Sequence, residues 1–215
     1  MNIVDYVREN SDLLFFSLWQ HASMTAQCVL LATVIGLLLA VASYRLPWLS
    51  GLTTGMASAI FTIPSFALFG LMIPIVGLGV MPAVVALTVY ALLPIVRNSI
   101  VGLNSVDKAM VDAARGMGMS RLSILLKVEL PLAWPVVLTG IRVATQLAVG
   151  VGAIAAYVSG PGLGDQIFSG LARLGGANAS NAILVGTIGI ILLALLFDAV
   201  YVLIGRLTTS RGLRV

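Results

Sequence analysis

The sequence predicts an all-α membrane protein with about five transmembrane helices and one long charged loop between the third and fourth. Three observations carry this. Of 215 residues, 60% are hydrophobic and only 9% charged, whereas a soluble domain carries about 25% charged residues. The mean hydropathy is +1.08. The apolar residues also fall into runs long enough to cross about 30 Å of hydrocarbon, which takes about 20 residues of helix. A soluble enzyme, a disordered chain and a nucleic-acid binder are excluded by the first two, and no nucleic-acid partner is needed to explain the net charge of +4.

The whole chain, 1–215, reads as a single membrane domain. Its N-terminal segment, 1–20, carries Asp5, Arg8 and Glu9 and lacks the basic start and cleavage site of a signal peptide. The first span is expected from Met24 to Tyr44, or from as early as Leu13. The second runs from Met56 to Ile73, interrupted by Pro64 and closed by Pro74. The third covers Val80 to Ile100, the fourth Pro135 to Val158 and the fifth Ala182 to Ile204. A charged tail, 206–215, follows.

The basic residues orient these spans. With the C-terminus inside, Arg45, Lys108, Arg115, Arg121, Lys127, Arg206, Arg211 and Arg214 are cytoplasmic. Arg97 and Arg142 fall near cytoplasmic helix ends, and only Arg8 and Arg173 lie outside. Ten against two satisfies the positive-inside rule.

The loop 101–131 is too polar to span, yet it has helical periodicity. Val106, Met110, Ala113 and Met117 share one face, as do Leu122, Leu125 and Leu126. Gly116 and Gly118 separate two short helices, and Pro131 is expected to break the second from the fourth span. Such a hairpin reads either as an amphipathic interfacial loop or as a knob whose small residues, Ala113, Ala114 and Gly118, let another protein approach.

Inside the membrane, a few residues stand out by their cost. Pro64 and Ser65 sit mid-span, where a proline frees backbone groups that are tolerated only against protein or a water-filled cavity. They read as a break in the translocation pathway, with Phe66 as a gate, or as a packing kink. Tyr90, Pro94 and Asn98 repeat every four residues, either as a polar stripe toward a pore or as a helix contact. Gly160, Pro161, Gly162 and Gly164 form a tight turn on the outer side, followed by a short amphipathic segment. Asp198 is an intramembrane carboxylate, for which an ion pair with Arg142 or Arg97 is the expected reading and a proton relay the alternative. His21 is placed with Trp19 at the outer interface, and Cys28, the only cysteine, in apolar packing. No metal ligand set is evident.

At the loop the sequence resembles a known family. Asp112-Ala113-Ala114, then Gly118, then Val128-Glu129-Leu130-Pro131 is similar to the EAA motif of permease subunits of binding-protein-dependent ABC importers. Asp112 replaces the usual Glu, and Val128 the usual Ile. Thr62 to Leu68, Ala114 to Ser120 and Gly162 to Leu171 further resemble the osmoprotectant group, which carries glycine betaine, carnitine, choline or proline-type compounds.

The resemblance implies a type I ABC importer permease fold in a bacterial cytoplasmic (inner) membrane, multi-pass, with a cytoplasmic C-terminus. It assigns Asp112, Ala113, Ala114, Arg115, Gly116, Met117, Gly118, Met119, Leu130 and Pro131 to a coupling helix and its base, which dock on a cytoplasmic ABC ATPase dimer. The chain has no phosphate-binding Gly-x-x-x-x-Gly-Lys-Ser/Thr loop, so ATP and Mg belong to that partner and the chain itself is no enzyme. A second permease subunit, identical or related, completes the pore, and an extracytoplasmic binding protein delivers the solute. Gly160 and Gly162 become a periplasmic gate element or a dock for that protein. Two alternatives stay open: a permease for another small solute such as an amino acid, and a proton-coupled secondary transporter without an ATPase.

Overall fold

In a computed structural model, residues 2–209 are described and consist of helices joined by short turns. The part of the tail beyond 209, with Arg211 and Arg214, lies outside the described residues. A short helix α1 (Ile3–Glu9) is capped by Asn2, whose Oδ1 accepts the Asp5 amide at 2.8 Å. It leads into α2 (Ser11–Ser43), 33 residues long. At 1.5 Å per residue that is about 50 Å, longer than the membrane is thick. The first span therefore starts well before Met24, because Asp12 is tolerated in the first turn of a helix that begins outside the hydrocarbon.

The second span is two helices, α3 (Pro47–Phe61) and α4 (Ser65–Val76), bent by 95° at Thr62-Ile63-Pro64. Pro64 caps α4 and is not buried in mid-helix as the sequence reading has it. Pro74 does not close the span either. It sits inside α4, which ends at Gly77 with φ +79°, a conformation open to glycine. α5 (Val80–Asn104) is the third span, and Pro94 is accommodated within it.

The charged loop folds as α6 (Lys108–Gly116) and α7 (Arg121–Ile124). The expected break at Pro131 is absent. Helical structure runs without interruption from Arg121 to Val158: α7, a π-helical turn over Leu125–Glu129, α8 (Leu130–Gly152) and a 3₁₀ stretch, Ala153–Val158. Pro131 stands in the first turn of α8, directly after the widened π turn. Widening to the i→i+5 register upstream gives the missing N–H and the ring a place without ending the helix. A turn then leads into α9 (Gly164–Ala172), and α10 (Ala179–Thr208) is the last span.

α2, α5 and α8 form the core, joined along small residues. Gly36 faces Ile95, and Gly102 faces Ala133 and Val136. Gly140 lies against Asn98 and the Pro94 carbonyl, so closely that a Cβ there would stand 2.7 Å from the Asn98 Cβ. Close approach of backbones is the usual basis of helix association in lipid. α10 packs on α8 and α9 and turns Ile188, Leu192 and Leu196 outward. Trp134 Nε1 donates to Thr208 Oγ1 at 2.7 Å, which sets the end of α10 beside the start of α8 and so at the same end as α6.

Candidate coupling surface and pathway wall

α6 begins where Asp107 Oδ1 accepts the Ala109 amide at 2.9 Å. It ends in a turn in which the Gly118 amide donates to the Arg115 carbonyl and the Met119 amide to the Ala114 carbonyl. Gly118 has φ +81°, a left-handed conformation that closes the helix and suits glycine. Ala114 is the one residue of α6 that is buried. The apolar faces expected from periodicity divide: Val106 and Leu125 pack on the core, whereas Met110, Met117, Leu122 and Leu126 are exposed, and Ala113 with them. Asp112 and Arg115 form a surface ion pair at 3.1 Å, worth little in stability. Gly116 and Met119 flank the turn, so the hairpin is a knob of exposed methionine and leucine side chains among charged ones, held by Ala114 and Ile124.

At the base of the knob lies a cluster that sequence reasoning missed. Glu129, at the end of the π turn, is buried. Its Oε2 accepts from Arg45 Nη2 at 2.9 Å and from the Tyr44 hydroxyl at 2.8 Å. Arg45 Nε also donates to the Tyr44 oxygen. The signal was available: Glu129 is an acid between apolar residues, as costly there as Asp198. Leu130 and Pro131 follow directly, half-buried and exposed.

Around the α3–α4 bend, Phe66 stacks on Tyr157 with ring centroids 3.9 Å apart. Ser65 opens α4. Tyr90 is buried and its hydroxyl donates to the Ile63 carbonyl, a backbone group left free by the break at Pro64. The Tyr90-Pro94-Asn98 stripe thus divides its tasks. Tyr90 serves the bend, while Asn98 Nδ2 donates to the Pro94 carbonyl and both pack on Gly140.

In the turn that follows Tyr157, at the end away from the knob, Gly160 and Gly162 are sites of close approach. A Cβ on Gly160 would stand 2.8 Å from the Ala155 carbonyl, and one on Gly162 2.8 Å from His21 Nδ1. His21 is thus not interfacial, as the sequence reading has it. It is buried, with Nε2 3.0 Å from the Val149 carbonyl. The turn folds over the ring because Gly162 in the turn and Gly152 on α8 leave room for it.

The structure brings Arg142 and Asp198 together. Arg142 Nε and Nη2 donate to the two Asp198 oxygens at 2.6 and 2.7 Å, a bidentate arrangement. Gln146 Nε2 reaches the Ala194 carbonyl at 3.0 Å. Arg97, the other expected partner, lines a separate, smaller cavity with Pro94 and Asn98. Asp198 stands ten residues before Thr208, about 15 Å along the helix and within the hydrocarbon. Both partners are partly exposed, Arg142 by 44% and Asp198 by 33%. An arginine or aspartate facing lipid at the centre of a span costs about 2.5–3.5 kcal/mol. Beside the pair opens a cavity of about 820 Å³, lined by Asn98, Thr139, Arg142, Tyr201 and Arg206 among others. Among the described residues no group of His, Cys, Asp and Glu could hold a metal.

The family described as the inner membrane component of binding-protein-dependent transport systems matches residues 32–210. The chain belongs to that family. It is 38% identical to the osmoprotectant import permease protein OsmW of Salmonella typhimurium, with 100% of both chains covered. It is 34% identical to the carnitine transport permease protein OpuCB of Listeria monocytogenes, over 91% of this chain and 88% of the relative. It is 33% identical to the choline transport system permease protein OpuBB of Bacillus subtilis, over 99% and 96%. In three dimensions it is similar to a chain of the inward-facing MetNI methionine ABC transporter: TM-score 0.81, 27% identity, 92% of this chain and 97% of that one. The fold is that of a type I ABC importer permease, an inner-membrane transport subunit.

Proposed function

We propose that this chain is the pore subunit of an ATP-driven importer of osmoprotectants such as glycine betaine, carnitine or choline. The observation that carries the coupling role is the exposed knob of α6 and α7, a surface of apolar and charged side chains held by Ala114 on the end of a continuous helix. The solute class rests on the full-length likeness to permeases named for osmoprotectant, carnitine and choline transport. Asp112, Ala113, Arg115, Met117 and Met119 meet an ABC ATPase dimer, which holds ATP and Mg and performs the hydrolysis. The continuous helix through Leu130 and Pro131 passes its motion to α8. A second permease subunit completes the pathway, an extracytoplasmic binding protein delivers the solute, and the knob and the C-terminus face the cytoplasm. Pro64, Ser65 and Phe66 at the bend and Gly160 and Gly162 in the turn after Tyr157 beside it are the parts that move.

The test is reconstitution of the chain with its ATPase and binding protein in proteoliposomes. Gly118→Trp, which places a large side chain at a left-handed position on the knob, is expected to abolish uptake and release the ATPase. Uptake and ATPase binding at native levels in that variant would remove the docking assignment.

A further inference from the structure

The Arg142–Asp198 pair ties α8 to α10, but tying needs no exposure, and both side chains are partly exposed; Arg142 lines the cavity between α5, α8 and α10, and Asp198 is bonded to it at the cavity's edge. At membrane depth such a surface is stable only against water or protein. The same cavity holds a second cation, Arg206, and the ring of Tyr201. Tyr201 is held in place through its hydroxyl, 2.8 Å from Thr145 Oγ1. Two cations and an aromatic ring therefore share one wall of a space large enough for a small solute, with the Asp198 carboxylate bonded to Arg142 beside it.

We propose that this wall is a solute-contact site in a water-filled part of the pathway, built for a small zwitterion with a carboxylate and a quaternary ammonium. The carboxylate meets the part of the Arg142 guanidinium that the bidentate bond to Asp198 leaves open. The ammonium has no hydrogen to donate and is held by charge and by the aromatic face, through Asp198 and Tyr201. Lying antiparallel to the ion pair, the zwitterion satisfies both charges without separating them. An onium without a carboxylate engages only half the site. The proposal rests on the osmoprotectant reading above and names the contact within this chain.

The experiment uses the assembled transporter in proteoliposomes. Thr139→Cys places a thiol on the cavity wall one turn from Arg142, and Leu196→Cys places one on the outward face of α10. The native Cys28 is buried and gives no background. A charged, membrane-impermeant thiol reagent is expected to label Thr139→Cys and spare Leu196→Cys. Excess glycine betaine is expected to slow that labelling severalfold, choline less, and mannitol at equal osmolality not at all. Adding Arg142→Gln, or Tyr201→Leu should the former fail to assemble, is expected to abolish the protection while labelling persists. Absence of labelling, or labelling that glycine betaine does not slow, overturns the site. Uptake by the native transporter separates the two readings: osmolyte uptake with no protection overturns this site alone, and no uptake of any osmolyte overturns the function on which it rests.

Discussion

At the scale of the residue, two charged pairs differ in their surroundings. Glu129 is buried and held by Arg45 and Tyr44. Removing Arg45 leaves a carboxylate with one hydroxyl to answer it. Breaking a fully buried pair costs about 3–5 kcal/mol; because Arg45 is 42% exposed, Arg45→Ala is expected to cost about 2 kcal/mol, measured as a lower midpoint of thermal unfolding in detergent. Tyr44→Phe removes the second partner of that carboxylate and is expected to cost about 1 kcal/mol, read from the same midpoint. At the second pair, Asp198→Asn strands Arg142 within the membrane. It is expected to lower the yield of assembled transporter without moving the pH profile of the residual uptake; a moved profile with full assembly would assign a proton relay instead.

At the scale of the element, prolines and glycines decide more than apolar length does. Pro64 bends a span by 95°, Pro131 is absorbed by a π turn, and Pro94 and Pro74 are carried inside helices. The same residue type does different things because its cost is set by whether neighbouring backbone groups find partners. Tyr90 supplies one at the Pro64 break. Gly140 decides how near α8 comes to α5. Gly140→Ala would drive a methyl against the Asn98 side chain and the Pro94 carbonyl, and it is expected to cost about 1–3 kcal/mol. The check is a lowered unfolding midpoint together with a shortened lifetime in detergent.

At the scale of the whole molecule, the basic residues and the knob agree on which end is which. Arg45 joins Glu129 at the base of the knob, and Thr208 at the end of α10 sits beside Trp134. Met117→Cys is therefore expected to react with an impermeant reagent only from the ATPase side, and Arg173→Cys only from the other; reaction of both from one side would refute the topology. Composition and run length were enough to determine a helical membrane protein and the positions of its long spans, because the cost of apolar and charged groups in lipid is local and additive. The glycines between two short apolar repeats were enough to find the hairpin between the third and fourth spans. Only the tertiary structure decided which face of that hairpin is open, that helical structure continues through Pro131, that His21 is buried under a glycine turn, and that Glu129 has Arg45 and Tyr44 as partners. Each of these depends on residues far apart in the chain meeting in space, and a periodicity read along one helix carries no information about what lies across from it.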